Sequence, residues 1–578
     1  MANDQKTIAV DTVAEAYLTL LAERGIEYLF ANGGTDFAPV NEALAAIAEK
    51  GSSPRLKVVT VAHENVAAAM AHGYYLMTGR PQMVMFHVNV GTANGINALT
   101  DAARDHVPML FTAGRNPLTE SGFKGSRDTG IHWGQEMFDQ AGMVRELCKW
   151  DYELRNGAQL EAVIDRAIEI ATSEPCGPVY LSLPREVMSE RLERFTYSAK
   201  PRRAYGTSPG PTPEQIARAA DILAAAERPL IFARESARVA ANVPALAAFA
   251  EAFAIPVIEF RSLANSLPSD HPMLLGFDPG PYLREADAVL VIETDVPWIP
   301  TVHGGPKPSA KVIHIGVDPL YSRIPIRSFP CDAAVTGAPH AVLPQLGAAL
   351  KPRIAKGAIA ERRRWVQEAR ERDAKAAADS LARAKLQTPI QPAWASHCVA
   401  AAKDEDAILV NEYSLILRHA GFAKPRTYLG TPTAGGLGWG LGAALGAKLA
   451  APDRLVIATL GDGAYMFGNP IAGHQVARTM DLPVLFIVFN NAMWEEVEGA
   501  ALRVFPDGRA ARSNRMPVAG LGPTARYEHI MDVFGGYGEC VETPEALPGA
   551  LERAIHAVKV EKRQALLNLI VGPRGGAP

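Results

Sequence analysis

Residues 461–491 read GDGAYMFGNPIAGHQVARTMDLPVLFIVFNN, and this stretch decides the fold. An apolar run, LVIATL, leads into the GDG triplet, a helical segment follows, and a second apolar run, VLFIVF, leads into Asn490 and Asn491. The pattern predicts a strand–helix–strand unit whose parallel strands end at one edge of a sheet. The Asp462 carboxylate and an asparagine amide then lie side by side, where their oxygens suit a hard cation that also binds phosphate. An Asp-Gly turn and an Asn-Asn turn without any ligand remain the alternative.

A second motif lies near the amino end of the chain. The strand-like KVVTVA leads into His63, Glu64 and Asn65, and the helical VAAAMAHGYYLMTG follows. A glutamate that opens a helix is often there only because the helix dipole favours a carboxylate. The same position, at the end of a buried strand, also suits a general acid or base.

Together the two motifs resemble the cofactor signature of thiamine-diphosphate enzymes, such as acetolactate synthases, pyruvate decarboxylases and benzoylformate decarboxylases. The resemblance implies that thiamine diphosphate is the cofactor and that Mg²⁺ anchors it. Asp462, the Asn491 side chain and the Met493 carbonyl would bind the metal, although Asn490 is also open as the amide ligand. The cofactor-binding residues of this motif are Gly461, Asp462, Gly463, Ala464, Asn491 and Met493. Glu64 would hydrogen-bond the pyrimidine ring and promote its imino tautomer, which is an acid–base task.

A glycine-rich segment, TAGGLGWGLGAALG, runs from Thr433 to Gly446. Its glycines are explained equally by close packing of a helix against its neighbours. In the resembled family a bulky apolar residue in such a segment supports the cofactor from below. The resemblance assigns that role to Leu437, and it assigns to the Gly435 carbonyl a hydrogen bond from the aminopyrimidine.

Candidate substrate residues lie in the first part of the chain. The segment MVMFHVNVGTANGINALTDAARDHVPMLFTAG is similar to benzoylformate decarboxylases, which implies that His87 lies near the substrate and is a candidate catalytic residue. Thr35, in the loop FANGGTDFAP, takes the place of a substrate-contacting serine, and Asn89 and Gln135 are further candidates. Loops after parallel strands are where such sheets bind ligands. Alternatively, His87 simply caps a strand end by bonding a backbone carbonyl.

The segment AMWEEVEGAALRVFPDGRAARSNRM follows the asparagine pair directly. In the resembled fold it begins a helix over the cofactor, and the resemblance directs Glu496, with Glu495 beside it, towards the substrate. Many decarboxylases of the superfamily carry an apolar residue there, and a carboxylate in a closed site is costly unless it has a function. The Glu-Glu pair is similar to the bacterial 2-hydroxyacyl-CoA lyases. Such a lyase deprotonates the substrate hydroxyl, breaks the adjacent carbon–carbon bond, and releases formyl-CoA with an aldehyde or ketone.

The same segment carries several arginines in a loop broken by glycine and proline. Guanidinium groups match phosphate oxygens in paired geometry, so these residues are candidates for binding a CoA thioester substrate. The candidates are Arg503 and Arg509, with Arg512 and Arg515 nearby. A solvated basic loop is the alternative explanation.

Composition is typical of a large globular enzyme. The chain has 578 residues, of which 48% are apolar and 21% charged, and its net charge is −4. This balance predicts neither a nucleic-acid partner nor attachment to a membrane. Five cysteines are scattered without metal-ligand spacing, and the amino terminus lacks a secretion signal. We therefore expect a cytoplasmic protein.

Strand-like and helix-like segments alternate along the whole chain, which predicts an α/β fold with three consecutive doubly wound parallel-sheet domains. The expected boundaries are 1–192 for a pyrimidine-binding domain, 211–345 for a central domain, 346–388 for a charged helical linker, and 389–578 for a diphosphate-binding and Mg²⁺-binding domain. In the resembled family the cofactor lies between the first domain of one subunit and the third of another. The resemblance therefore implies a homodimer at least, with a homotetramer as the expected assembly.

Two other functions compete with the lyase. A 2-oxo acid decarboxylase of the benzoylformate type would use the same cofactor together with His87 and Thr35. A catalytically silent cofactor-binding subunit would share the fold without the reaction. A carboligase of the acetolactate type is a further variant, although the middle block has no convincing flavin phosphate loop.

Overall fold

The computed structural model describes residues 5–50, 55–200 and 209–572. Part of the predicted linker and the last six residues of the chain therefore lie outside the described residues, so the tail VGPRGGAP is described only in its first two positions.

Apart from one small antiparallel pair, the strands of the described residues form three six-stranded sheets, and each sheet is parallel throughout. Helices lie between most consecutive strands of each block. The α/β class with three parallel-sheet domains is thus confirmed.

The first block has the sheet order β3-β2-β4-β5-β7-β6, and its outer strands β1 and β8 pair separately in an antiparallel ribbon. Every residue of its central strands β4 and β5 is buried, as expected for a sheet covered on both faces. The elements of this block are β1 (Gln5–Ala9), α1 (Val13–Glu23), β2 (Tyr28–Asn32), α2 (Ala38–Glu49), β3 (Lys57–Thr60), α3 (Glu64–Thr78), β4 (Gln82–Phe86), α4 (Val88–Arg104), β5 (Met109–Arg115), α5 (Ile131–Gly134), β6 (Asp151–Glu153), α6 (Leu160–Thr172), β7 (Val179–Pro184), α7 (Arg185–Ser189) and β8 (Arg194–Ser198).

The middle block has the sheet order β11-β10-β9-β12-β13-β14. Its elements are α8 (Pro213–Ala225), β9 (Pro229–Ala233), α9 (Asn242–Phe253), β10 (Val257–Ile258), β11 (Leu274–Gly276), α10 (Gly280–Leu283), β12 (Ala288–Ile292), α11 (Pro300–His303), β13 (Lys311–Gly316), β14 (Ala333–Thr336), α12 (Pro339–Leu350) and the long α13 (Ala358–Ala384).

Helix α13 corresponds to the charged stretch that the sequence marks as a solvated linking helix. Most of its charged residues are exposed, but one face is buried. The buried Arg362 guanidinium donates to the carbonyls of Leu223 and Ala226 at 2.7 and 2.6 Å. The helix is therefore packed against the middle block along one side instead of being solvated all round.

The last block has the sheet order β16-β15-β17-β18-β20-β19. Its elements are α14 (Pro392–Ala402), β15 (Ile408–Glu412), β16 (Tyr428–Leu429), α15 (Trp439–Ala450), β17 (Val456–Gly461), α16 (Asp462–Phe467), α17 (Pro470–Thr479), β18 (Leu485–Asn490), α18 (Glu495–Val504), α19 (Arg509–Ser513), α20 (Ile530–Phe534), β19 (Tyr537–Val541), α21 (Leu547–Lys559) and β20 (Ala565–Ile570).

The chain forms two compact units that cut across these blocks. One unit contains the first block together with Pro432–Ala450 and Gly468–Met480, and the other contains the remaining residues. The first unit gains α15 because this helix packs tightly on α3. A Cβ atom on Gly446 would lie 2.0 Å from the Met70 carbonyl oxygen, so a glycine is needed for the two backbones to approach this closely.

Candidate functional site

The aspartate of the GDG triplet lies at the junction of β17 and α16 and is almost fully buried, with 2% of its surface exposed. Asp462 Oδ1 accepts a hydrogen bond of 2.8 Å from the Gly463 N–H. Asp462 Oδ2 is buried and has no hydrogen-bond partner among the described residues. Burial raises the pKa of this carboxyl, while the backbone N–H groups of Gly463 and residues 491–493 oppose that rise.

The two asparagines after β18 have different surroundings. Asn490 is buried, and its Nδ2 donates to the Ala525 carbonyl and to Asn568 Oδ1, both at 3.0 Å, while its Oδ1 accepts from the Ala492 N–H. Asn491 is only partly buried; its Oδ1 accepts from the Met493 N–H at 3.2 Å. Both amides are hydrogen-bonded on oxygen and nitrogen, but only Asn491 is partly exposed, so Asn491 is the more accessible of the two to a ligand.

The GDG turn also contacts the loop before α18. A Cβ atom on Gly463 would lie 2.4 Å from the Trp494 ring, so the indole packs directly on this turn. Ala464 is buried behind it. A Cβ atom on Gly461, in contrast, would meet no atom within 4 Å, so packing does not explain a glycine there. Space beside Gly461 and a buried unpartnered carboxylate oxygen at Asp462 fit a divalent cation that carries phosphate.

The described residues contain no cluster of three His, Cys, Asp or Glu side chains able to bind a metal. A cation at Asp462 would therefore depend on amide and carbonyl oxygens and on the oxygens of its phosphate ligand. That donor set is the one Mg²⁺ prefers, since this ion is bound through one or two carboxylates plus substrate phosphates.

In the first unit, Glu64 is the first residue of α3 and is 5% exposed. The preceding His63 caps the helix by accepting from the Asn65 N–H through Nδ1, at 3.2 Å. Glu64 Oε2 accepts a hydrogen bond of 3.2 Å from Asn94 Nδ2 on α4. The carboxyl group is thus enclosed and oriented, as an acid–base residue requires.

Helix α4 also holds the glycine-rich segment of the same unit. Asn97 Nδ2 donates to the Leu437 carbonyl at 3.0 Å, and Asp101 Oδ1 accepts from the Gly436 N–H at 2.9 Å. Gly435 has φ of +68°, a conformation that favours glycine, and Leu437 is partly exposed. Close packing of helices therefore explains the glycines of this segment that lie within α15. Gly435 instead belongs to a turn that hydrogen bonds from α4 hold in place.

Thr35 lies in a short 3₁₀ turn after β2. Its Oγ1 is 3.0 Å from His132 Nε2, and His132 Nδ1 accepts from the Asp128 N–H at 3.3 Å. Burial, followed by the nearby Arg185 guanidinium, lowers the pKa of His132. His132 Nε2 also lies 3.5 Å from Arg185 Nη1, so the imidazole sits between the Thr35 hydroxyl and this guanidinium.

His87 precedes α4 but makes no capping hydrogen bond with its side chain. Its Nδ1 lies 2.5 Å from Asp36 Oδ1, and its Nε2 lies 3.2 Å from Gln135 Nε2. The alternative in which His87 bonds a backbone carbonyl is thus wrong for this structure. Asn89 Oδ1 and Gln135 Oε1 are both buried and without a hydrogen-bond partner among the described residues, so both are acceptors that a ligand would satisfy.

The two glutamates at the start of α18 are not equivalent. Glu495 Oε2 accepts from Asn491 Nδ2 at 3.2 Å, which connects the helix to the asparagine pair. The Glu496 side chain is 66% exposed and lies 3.6 Å from the Arg503 guanidinium. The expectation of a charge aimed into a closed site is therefore not met in the single chain, where Glu496 faces solvent. Arg503, Arg509, Arg512 and Arg515 are exposed as well.

Models of the thiamine pyrophosphate enzymes match three segments: the N-terminal TPP binding domain at residues 11–143, the central domain at 216–346, and the C-terminal TPP binding domain at 412–568. The chain belongs to the thiamine pyrophosphate enzyme family. Its curated relatives in this family are enzymes with transferase, synthase, decarboxylase and lyase activities.

Two relatives cover nearly the whole chain. A sulfoacetaldehyde acetyltransferase of Rhodobacter capsulatus is 26% identical over 98% of this chain and 95% of its own length. A 2-hydroxyacyl-CoA lyase of Oryza sativa subsp. japonica is 25% identical over 99% of this chain and 98% of its own length. Among solved structures, a thiamine diphosphate-dependent 4-hydroxybenzoylformate decarboxylase of Rhodococcus jostii superposes with a TM-score of 0.76 at 22% identity, covering 97% and 99% of the two chains.

In this thiamine pyrophosphate enzyme, several residues that hydrogen-bond the candidate site residues were not predicted from the sequence. They are Asp36 beside His87, His132 beside Thr35, and Asn94 and Asn97 on α4. Asp36 is adjacent to Thr35 in sequence and His132 lies three residues before Gln135, which are the signals available without a structure. None of the helices in the described part of the chain combines the length and the apolar run that a membrane crossing requires.

Proposed function

We propose that the protein is a thiamine-diphosphate-dependent carbon–carbon lyase that cleaves a 2-hydroxyacyl-CoA to formyl-CoA and an aldehyde or ketone. The observation that carries the proposal is the pair of carboxylates at the start of α18. Glu495 is hydrogen-bonded to Asn491, and Glu496 is exposed beside Arg503. Support also comes from the lyase of Oryza sativa, which aligns with this chain almost end to end.

Bound thiamine diphosphate supplies the carbon nucleophile and the electron sink that this cleavage needs. We propose that Asp462, Asn491 and the Met493 carbonyl bind Mg²⁺, and that Gly461, Gly463 and Ala464 border the diphosphate. The orphaned oxygen of Asp462 and the open space beside Gly461 support this assignment.

Glu64 would exchange a proton with the pyrimidine ring, and Asn94 would keep its carboxyl group in position for this step. Leu437 and Gly435 would contact the cofactor from the turn that α4 holds. Since the resembled family places the cofactor between the first domain of one subunit and the third of another, we propose a homodimer at least and a homotetramer as the full assembly.

In the cleavage itself, Glu496 would take the proton of the substrate hydroxyl while the bond between the two carbons breaks, and that proton would end on the formyl carbon. Glu495 would hold the start of α18 against Asn491. Arg503 and Arg509, which are exposed on the same segment, would bind the phosphates of the CoA thioester. Thr35, Asn89 and Gln135 would contact the acyl part, and so would His87, which we count among the catalytic residues. The five cysteines are all free thiols, which suits the reducing cytoplasm that we propose as the location.

The test incubates the full-length protein with thiamine diphosphate, Mg²⁺ and lactoyl-CoA, and measures acetaldehyde and formyl-CoA. Glu496→Ala is expected to lower the rate at least 100-fold, as loss of a general base does, whereas Glu498→Ala on the same helix retains it. Glu64→Gln should fold normally and lose activity by orders of magnitude. Full cleavage by Glu496→Ala would remove this residue from the mechanism.

A 2-oxo acid decarboxylase is the second candidate, and the arrangement of Thr35 with His132 and of His87 with Asp36 favours it. Carbon dioxide released from benzoylformate or pyruvate, without cleavage of lactoyl-CoA, would decide for this function. A protein that binds the cofactor and turns over none of these substrates would instead be the silent subunit.

A further inference from the structure

Asp36 is a buried carboxylate to which the proposed lyase mechanism assigns no step. Asp36 lies in the 3₁₀ turn after β2, and His87 follows β4. Strands β2 and β4 are neighbours in the sheet, with Asn32 paired to Phe86 at their ends. The topology thus brings two residues 51 positions apart to one edge of the sheet, where parallel α/β folds place ligands.

The hydrogen-bond partners of the His87 ring are all consistent with a single tautomer. Asp36 Oδ1 lies 2.5 Å from His87 Nδ1, and a carboxylate only accepts, so Nδ1 carries the hydrogen. Gln135 Nε2 lies 3.2 Å from His87 Nε2, and an amide nitrogen only donates, so His87 Nε2 presents its lone pair. The second carboxylate oxygen of Asp36 accepts from the Val88 N–H at 3.4 Å, which holds the carboxylate in place.

The chain makes room for this pair with two glycines. A Cβ atom on Gly34 would lie 2.3 Å from the His87 ring, and one on Gly114 would lie 1.7 Å from Asp36 Oδ2. Neither glycine has a positive φ, so space and not backbone conformation explains them. Asp36 itself is 4% exposed, and a carboxylate buried this deeply needs a compensating partner.

We propose that Asp36 is a positioning residue that fixes the Nδ1–H tautomer and the orientation of His87. The Nε2 lone pair, which Gln135 Nε2 meets at 3.2 Å in the free protein, then becomes the acceptor for a donor on the substrate. The last step rests on the proposed function, in which His87 contacts the acyl part of the substrate. The orientation itself depends only on the described contacts, and the same logic governs a histidine that a buried aspartate orients in other enzymes.

Asp36→Asn tests the tautomer without any need for turnover. Because the Val88 N–H needs an acceptor, the new amide oxygen turns to it and the amide nitrogen faces His87 Nδ1, which moves the ring hydrogen to Nε2. Diethyl pyrocarbonate attacks an imidazole nitrogen that carries a lone pair. With the holoenzyme, modification of His87, followed by peptide mass spectrometry, should fall at least tenfold in Asp36→Asn.

The matched control is Asp139→Asn, which removes an exposed carboxylate of the same block that pairs with Arg145. It should leave the modification of His87 within twofold of the wild-type rate. Equal modification of His87 in the wild type and in Asp36→Asn would overturn the proposal.

A double-mutant cycle shows whether Asp36 acts through His87. Asp36→Ala alone is expected to lower kcat for lactoyl-CoA at least 100-fold with KM and the Kd of thiamine diphosphate changed less than threefold. In a His87→Gln background the same change should have less than a threefold effect, because its target is gone. Independent, multiplying effects of the two substitutions would overturn the proposal. If wild-type protein fails to cleave lactoyl-CoA, the proposed function falls and the His87 modification still decides this inference.

Discussion

At the scale of single residues, Asp462 combines two properties that oppose each other in the free protein. Its buried Oδ2 lacks a partner among the described residues, which costs stability, and the same oxygen is what a cation would need. We therefore predict that Asp462→Asn leaves the cofactor-free protein at least as stable as the wild type. The rise in Tm that Mg²⁺ and thiamine diphosphate produce, worth about 2.7 kcal/mol at 100 times Kd, should be lost.

Differential scanning fluorimetry with and without both ligands checks this prediction. Asp453→Asn, at an exposed position of the same block, is the control and should keep the full ligand-induced shift. A wild-type shift retained in Asp462→Asn would exclude this carboxylate as a metal ligand.

Glu259 lies directly after β10, and its burial leads us to predict that the free energy of unfolding depends on pH. It is fully buried, its Oε1 accepts from the Ser266 and Leu267 N–H groups, and burial raises its pKa to about 8. In the unfolded chain the carboxyl loses its proton near its ordinary value, while the folded protein retains it. The free energy of unfolding should therefore fall between about pH 4.5 and pH 8, by up to about 1.4 kcal/mol per pH unit.

Glu259→Gln should remove that pH dependence, because an amide does not titrate. Its oxygen still accepts from the two N–H groups, and its nitrogen offers a donor to the buried Ser266 hydroxyl. Urea unfolding at a series of pH values measures the difference between the two proteins. Parallel stability curves for the wild type and Glu259→Gln across this range would contradict the assignment.

At the scale of elements, we predict that the close approach of α3 and α15 tolerates no added side chain. Gly446→Ala places a methyl group where the Met70 carbonyl oxygen lies, and the backbone cannot move aside easily. We therefore expect the free energy of unfolding to fall by about 1–3 kcal/mol. Gly549→Ala on α21 is the matched control, since its methyl group would meet only the flexible Arg553 side chain. That variant should gain about 0.5–1 kcal/mol from the better helix propensity of alanine. Chemical denaturation of both variants would show opposite signs, and a neutral Gly446→Ala would refute the tight packing.

The elements also show what a sequence can reveal by itself. Central strands such as β4 and β18 are continuous apolar runs because both faces of a parallel sheet are covered, so their positions are confirmed. The edge strands β6 and β19 escaped prediction, since they are short and only partly buried and carry no apolar run. The pairing of β1 with β8 is set by tertiary contacts that no local pattern encodes.

The residues of the candidate site also fall into two groups: those that local sequence predicts and those that only the fold brings together. Asp462 and the asparagine pair lie at neighbouring strand ends of one strand–helix–strand unit, so their local spacing was enough to predict the motif. The partners of Glu64 and His87 come from other elements, and only the fold brings Asn94 and Asp36 to them. Their residue types have no distinguishing spacing, which is why the sequence reasoning missed them.

At the scale of the whole molecule, the segment from Leu118 to Phe138 exposes an unusual number of large apolar side chains, including Phe123, Trp133 and Phe138. Exposed apolar clusters of this kind are typical of surfaces that bind another chain or a ligand. The segment also carries His132 and Gln135, which adjoin the candidate substrate residues. In the homodimer that we propose, covering this segment and completing the cofactor site are therefore expected to be coupled.

The double substitution Phe123→Lys and Phe138→Lys should weaken the assembly and, with it, the binding of thiamine diphosphate, because a charge buried at an interface is strongly unfavourable. Sedimentation velocity measures the first effect and calorimetry with Mg²⁺ the second. Leu386→Lys, at an exposed position after α13, is the control for added charge and should change neither. If the lysine variant keeps its sedimentation coefficient and its cofactor affinity, this segment is not part of the subunit interface, and the coupling between assembly and cofactor binding has to lie elsewhere in the chain.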